Sequence, residues 1–192
     1  MSVKVVKHKD CLRIITDLMR DSQSLLDIGC GVGATLKYFP CPIKIGIDAH
    51  IPYLEKAQQS TSFIPLKMEA QCVGEYFLPK SIDCISMIDV IEHLDKETGF
   101  NILQQAERIA VKKVIIFTPR GFFNQKANDH YGLGGESFQK HRSGWEVEDF
   151  VNKGYKVIVF SQFHDHTNLA FVEAYGKDAQ PKDAILAWKE LD

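Results

Sequence analysis

The sequence predicts an α/β protein: a doubly wound, mostly parallel sheet with helices on both faces and a C-terminal antiparallel hairpin. Three observations carry that expectation. Short apolar runs alternate with segments of helical period, the order that a covered parallel sheet requires. The first of these runs, Ser24 to Ile28, breaks at once into three alternating glycines, Gly29, Gly31 and Gly33. Acidic residues close later runs, Asp48 the second and Asp89 the fourth.

Residues 9–20 place Leu12, Ile15, Leu18 and Met19 on one face of a leading helix. Ser24 to Ile28 is a buried strand, and a short helix over Ala34 to Tyr38 follows its glycines. Ile43 to Ile47 is the second strand, ended by Asp48, and a helix over 51–59 turns Ile51, Leu54 and Ala57 inward. Ser62 to Pro65 is a third strand, weakened as a central one by its proline. Ile82 to Ile88 is the fourth. A helix over 97–110 follows, with Phe100, Leu103, Ala106 and Ile109 at helical spacing. Val114 to Thr118 is the fifth strand, stopped by Pro119. Ser143 introduces a helix from Trp145 to Asn152, with Glu146 spaced for a capping box. Tyr155 to Phe160 and Leu169 to Tyr175, rich in β-branched and aromatic residues, predict the closing hairpin. Beyond it, the stripe Ile185, Ala187, Trp188 and Leu191 suits a short docked helix or a contact with a second subunit. Only 119–143 lacks a clear period, as lids, binding loops and disordered stretches do.

A chain of 192 residues fits one domain over 1–192. At 45% hydrophobic and 25% charged residues with a net charge of −2, it has neither the composition of a disordered chain nor the single-sign footprint of a general nucleic-acid binder. Cys11, Cys30, Cys41, Cys72 and Cys84 are odd in number and form no CxxC pair, which argues against a disulfide scaffold or a structural zinc site. No apolar run approaches the length of a signal peptide or a membrane span. The expectation is a cytoplasmic protein, monomeric or weakly dimeric, away from membranes.

The glycine turn marks the ligand. In an open parallel sheet the carboxyl ends of the first strands form the binding crevice, and glycines there admit a ligand close to the backbone. A dinucleotide site wants G-x-G-x-x-G; Ala34 stands at the third glycine's place, which a looser form accepts, so an NAD-dependent oxidoreductase is one reading. Asp27 favours another. A carboxylate two residues before Gly29 is unwelcome beside a pyrophosphate and attractive to a cation, such as a sulfonium or an α-ammonium group. Asp48 suits ribose hydroxyls in either case, or a helix cap. Asp89, Glu92 and His93 gather beyond the fourth strand, where the crevice would lie.

Leu25-Leu-Asp-Ile-Gly-Cys-Gly-Val-Gly33, Gly46-Ile-Asp48-Ala-His, Glu69-Ala70 and Ser81 to Leu94 resemble, in order, the motifs of the class I S-adenosylmethionine-dependent methyltransferases, in particular the small ubiquinone/menaquinone-biosynthesis type. The resemblance spans about residues 20–118 and implies a seven-stranded Rossmann-like sheet. It implies that the backbone of Gly29, Cys30, Gly31 and Gly33 packs on the amino-acid end of S-adenosyl-L-methionine, with Asp27 near its ammonium. Asp48 would hold the ribose, Ala49 would line the adenine pocket, and Glu69, with the backbone of Ala70, would face the adenine amino group. Asp89 and Val90 would line the methionine portion. Glu69 is a methylene longer than the family's usual Asp. An Asn/Asp-Pro-Pro-Tyr/Phe signature and a Pro-Cys nucleophile are both missing, which disfavours methylation of nucleic-acid bases.

A hydroxyl acceptor has a proton to lose, and histidine is the side chain suited to take it at neutral pH. His141, His130 and His93 are the candidates. The first two lie in 119–143, read as a substrate-side lid in which Arg120, Lys140 or Arg142 would face an anionic group. His130 and His141 with a carboxylate match no tight metal spacing, so no metal is expected. The predicted activity is methyl transfer to oxygen, before nitrogen, of a small polar metabolite such as a sugar or an anionic precursor. A non-catalytic binding module is the remaining alternative.

Overall fold

Strands buried on both faces build the centre of the sheet. In the computed structural model, which describes residues 3–59, 61–124, 129 and 131–191, eight strands pair in one sheet. They are β1 (Val3–Val6), β2 (Ser24–Ile28), β3 (Ile43–Asp48), β4 (Ile64–Lys67), β5 (Ile82–Ile88), β6 (Ala110–Pro119), β7 (Lys156–His164) and β8 (Lys182–Glu190). Their order is β1-β7-β8-β6-β5-β2-β3-β4. β8 runs antiparallel to both its neighbours and every other pairing is parallel. Val114 and Ile116 of β6 face one core with Leu26, Ile85, Met87, Ile185 and Ala187. Ile115 and Phe117, one residue out of phase, face the other with Leu25, Cys84, Phe160 and Leu186. This is the two-residue period of a sheet covered on both sides.

Among the described residues the α-helices are α1 (Cys11–Leu18), α2 (Ile51–Gln58), α3 (Val73–Tyr76), α4 (Lys96–Ile109), α5 (Glu136–Gln139), α6 (Val147–Val151) and α7 (Leu169–Tyr175). The first core takes Ile102, Leu103, Ala106 and Ile109 from α4 and Phe150 from α6. The second takes Ile15 of α1 and Leu36. Among the described residues no helix is long and apolar enough to cross a membrane.

The doubly wound sheet and its C-terminal antiparallel hairpin are as the sequence predicts, with differences at particular elements. The sheet has an eighth strand, β1, on the outer edge of β7. Leu169–Tyr175 is a helix, capped by Asn168, whose side chain accepts from the Phe171 amide. The hairpin partner of β7 is β8, the segment whose stripe suited a docked helix or a subunit contact. Ala184–Ala187 are all buried because β8 lies inside the sheet, with apolar cover on both faces. Ala34 to Tyr38 forms a single 3-10 turn at Leu36–Tyr38. In α2 it is Tyr53 that is buried with Leu54 and Ala57, and Ile51 is exposed. The α6 capping box belongs to Glu146 and Asp149. Ser143 instead donates to the Ile91 carbonyl and accepts from the Trp145 indole. Pro65 does sit in an edge strand, β4.

Candidate active site

The chain runs from β2 outward through β3 to β4, then returns to β5 on the other side of β2. The carboxyl ends of β2 and β5 are therefore the point where the winding reverses, the place where such sheets bind ligands. A cavity of about 850 Å³ opens there. One half is lined by Asp27, Gly29, Cys30, Gly31, Asp48, Ala49, Met68, Glu69 and Ala70. Asp89, Val90, Glu92, His93, His141 and His164 line the other half.

Each glycine of the turn has its own reason. All three take positive φ, 69° at Gly29, 52° at Gly31 and 69° at Gly33. A Cβ on Gly29 would lie 2.6 Å from Val90 Cγ2, so this glycine lets β2 and β5 end side by side. A Cβ on Gly33 would meet Ala57 Cβ at 3.1 Å; Gly33 closes the turn onto α2 and does not line the cavity. Nothing lies within 4 Å of a Cβ on Gly31, whose backbone faces open space.

Asp48 holds the loop. Its carboxylate accepts from the Gly31 amide at 2.9 Å and the His50 amide at 2.8 Å, and lone pairs remain for a ligand. It does not cap α2, whose N-cap is His50. Asp27 is buried and accepts from Ser86 Oγ. Burial pushes its carboxyl up to about 7, against the Ser86 hydrogen bond and with help from the Asp48 charge. A cation brought beside it would return it to the carboxylate form. Glu69 is exposed at the rim and accepts from Gln71 Nε2 at 2.5 Å. Asp89 follows β5 with a left-handed backbone, φ 53°, a conformation that non-glycine residues keep mainly at functional sites.

The second half is built by residues far apart in the chain. Glu92, 2% exposed, accepts from Thr118 Oγ1 at 2.9 Å, and its carbonyl takes the Arg142 and Ser143 amides. Burial, then the Asp89 charge, pushes its carboxyl well above the carboxylate range. The His93 and His141 rings meet edge to face, 4.7 Å apart. One donor atom from each of Glu92, His93 and His141 lies within 4.8 Å of the others. Burial lowers both imidazoles to about 4, with the neighbouring His141 adding to the effect on His93. Both are neutral at pH 7. The Nδ1 atom of each is buried with no partner.

His164, at the end of β7, was not anticipated. Its Nδ1 meets Asn168 Nδ2 at 3.3 Å. Asn168 Oδ1 is committed to the α7 cap, so Nδ2 is the atom facing the ring and Nδ1 must accept. The neutral ring then carries its proton on Nε2, which is buried without an acceptor. His164 is a donor on that side. Nothing in the sequence marks it except its strand-end position.

Asp129 and residues 131–139 close over α2. Tyr53 Oη donates to Asp129 Oδ1 at 2.8 Å, and the amides of Tyr131, Leu133 and Gly135 donate to the same carboxylate. Burial opposes ionisation of Asp129, but these donors outweigh it and hold the carboxyl at about 2. His50 Nε2 meets the Leu133 carbonyl at 2.7 Å. Gly135 is required because a Cβ would fall 2.0 Å from Tyr53 Oη. Of the expected basic residues, Arg142 lines the cavity, Lys140 does not, and Arg120 is engaged by Glu146 and Asp183. His130 lies outside the described residues.

Residues 26–117 match the family model described as a methyltransferase domain. Among solved structures the chain is similar to an S-adenosylmethionine-dependent methyltransferase from Archaeoglobus fulgidus (20% identity, TM-score 0.66, 94% of this chain and 92% of that one). It is also similar to the methyltransferase domain of a bacterial CtHen1 (18%, TM-score 0.59, 94% and 97%). A third is magnesium protoporphyrin IX methyltransferase from Synechocystis PCC 6803 with S-adenosylmethionine bound (13%, TM-score 0.58, 94% and 78%). At these identities the likeness is one of fold. No curated protein matches the sequence.

Proposed function

We propose that this chain is a class I S-adenosylmethionine-dependent methyltransferase that methylates oxygen, in preference to nitrogen, of a small polar acceptor; the methyltransferase-domain match over residues 26–117 and the shared fold support it. S-adenosylmethionine brings a methyl group on a cationic sulfur, already activated for displacement. The chain's residues fit it. Gly31 leaves open backbone for the amino-acid end, and the raised carboxyl of Asp27 is one that a nearby ammonium would ionise. Asp48 keeps lone pairs for the ribose, and Met68, Ala49, Glu69 and Ala70 line a pocket for adenine. Val90 and Asp89 continue toward the second half of the cavity.

The observation that carries the oxygen reading is the pair of buried, unpartnered imidazole nitrogens, Nδ1 of His93 and Nδ1 of His141, beside Glu92 in that second half. A hydroxyl acceptor loses a proton as it is methylated, and a neutral imidazole is a group that can take it. His164 Nε2 and Arg142 supply donors for the acceptor's other oxygens, which supports a hydroxylated or anionic small molecule. The resemblance to quinone-biosynthesis enzymes supports the same size class. In this reading 119–143 is the substrate-side lid of a single domain over 1–192.

The test is titration with S-adenosylhomocysteine and, separately, NADH, followed by transfer of labelled methyl to a panel of hydroxylated acids and sugars. His141→Ala should lower turnover by about 10²–10⁴-fold while leaving S-adenosylhomocysteine affinity within about twofold, since the cofactor half is built from other residues. Micromolar NADH binding with no response to the thioether would sink the reading. Tight thioether binding with no transfer to any acceptor would favour a binding module.

A further inference from the structure

Nδ1 of His93 and Nδ1 of His141 are both buried without a partner, and a donor atom of each ring lies within 4.8 Å of one from Glu92. Unpaired polar atoms in a site of low dielectric are costly, and an ion that takes their lone pairs offsets that cost. Nδ1 of each ring is thus open to a ligand. Glu92 is held by Thr118, whose Oγ1 donates to one of its oxygens.

We propose that Glu92, His93 and His141 form a site for one divalent transition-metal ion, whose remaining positions open into the cavity and receive oxygen atoms of the acceptor. The donor atoms lie within 4.8 Å of one another. Bonds of about 2.0–2.2 Å from such ligands put neighbouring donors roughly 3–3.5 Å apart, so side-chain rotation of about an ångström closes the site. Two histidines and one carboxylate with open positions is a donor set for Zn²⁺, Mn²⁺, Fe²⁺ or Co²⁺. All three residues line the cavity wall, so the open positions face the acceptor space.

The inference rests on the proposed methylation of oxygen and changes how it is achieved. An acceptor hydroxyl bound to the ion is acidified there and loses its proton to water. Its oxygen forms the new bond to carbon as the carbon–sulfur bond breaks, and the neutral thioether leaves. The lone pairs of His93 and His141 then hold the ion and do not carry the proton. Their spacing hides the site from sequence, because positions 92, 93 and 141 match no metal motif.

The full chain is stripped with chelator and titrated with Co²⁺, with visible absorption and metal content as readouts. One equivalent should bind, with intensified visible bands from a low-symmetry nitrogen and oxygen site. His93→Ala and His141→Ala should each weaken uptake by more than the roughly 10–100-fold that even an outer partner of a metal ligand costs. His164→Ala should retain it, since that ring presents an N–H. Glu92→Gln joins the series only if its circular dichroism is native; the histidine variants carry the test without it. No uptake by the wild type at 1 mM Co²⁺ (about the weakest affinity of interest), or equal uptake by all three histidine variants, overturns the site. Titration of the same samples with S-adenosylhomocysteine separates the two claims. Thioether binding without Co²⁺ removes the metal alone, and Co²⁺ binding without the thioether supports the site while removing the methyltransfer reading. Turnover unchanged in chelator would return His93 and His141 to the role of base and overturn the ion's part in the reaction.

Discussion

On the proposed reading, the buried carboxyl of Asp27 couples cofactor binding to pH. Its pKa is raised to about 7 by burial, so the free folded protein holds a proton there that the unfolded chain releases near its ordinary value of 3.8. Folded protein then binds more protons than unfolded across that window, and the contribution of Asp27 to stability falls as pH rises from about 4 to about 7. Cofactor binding has the opposite sign, because an ammonium selects the carboxylate. S-adenosylhomocysteine affinity should rise up to about tenfold per pH unit below 7 and level off above it. Calorimetry from pH 5.5 to 8.5 checks this, and Asp27→Asn should flatten the profile while lowering affinity at pH 8. A flat wild-type profile removes Asp27 from the ammonium site. Gly29 gives a test by packing. Gly29→Ala combines a positive φ with a Cβ 2.6 Å from Val90 Cγ2, and should cost about 2–4 kcal/mol in chemical denaturation. Val90→Ala in the same chain should recover part of that loss, and pure additivity would refute the contact. The glycine motif was legible because its constraint is local: a turn, an acid and a strand end within seven residues, Asp27 to Gly33. The division of labour among the glycines was not, since it depends on Val90 and Ala57, which other elements bring in.

Elements were legible where their period was local and misread where burial on both faces erased it. Ala184 to Ala187 is continuously buried inside the sheet, so β8 lacks the alternation that marks a half-covered strand. Its residues could then be fitted to a helical stripe. Leu169–Tyr175 failed in the opposite sense: aromatic and β-branched content suggested a strand, while the cap at Asn168 was the helix signal available in sequence. The histidines follow the same logic. His93 was found because it stands next to a strand end of the motif region, and His164 was passed over because β7 runs past its expected end at Phe160 to reach it. The lid offers an element-scale test. Asp129→Ala removes the acceptor for three backbone amides and for Tyr53, leaving donors near α2 without partners. The expected result is a several-fold or greater rise in acceptor KM, faster proteolysis within 119–143, and S-adenosylhomocysteine affinity changed by less than about threefold, because each lost bond is worth roughly 1 kcal/mol and the glycine turn does not share them. Equal losses in acceptor and cofactor binding would mean that the segment supports the whole cavity and is no lid.

At the scale of the molecule, the site depends on a strand that does not touch it. β8 fills the place between β6 and β7, and its pairing runs along β6 to Pro119. The next residue inward, Thr118, donates to Glu92 at 2.9 Å. The last strand in sequence therefore fixes the end of β6, and through Thr118 the carboxylate on which the acceptor half is built. β1 is different: it lies on the outer edge of β7 with Val3 and Val5 exposed, and no residue of it lines the cavity. The two strands should answer mutation very differently. Ala187→Asp puts a carboxylate into a fully buried position of the first core. The cost of several kcal/mol is a large share of the 5–15 kcal/mol that holds such a domain together. Val5→Asp, at a position 65% exposed, should cost less than about 0.5 kcal/mol. Urea unfolding followed by tryptophan fluorescence separates the two, because Trp145 and Trp188 lie in or beside opposite cores. If Ala187→Asp folds with native stability, β8 is not the closing element of the sheet. If it folds with reduced stability, S-adenosylhomocysteine binding should survive better than methyl transfer, since Asp27, the glycine turn and Asp48 stand on β2 and β3, on the far side of β5 from the disturbed strand.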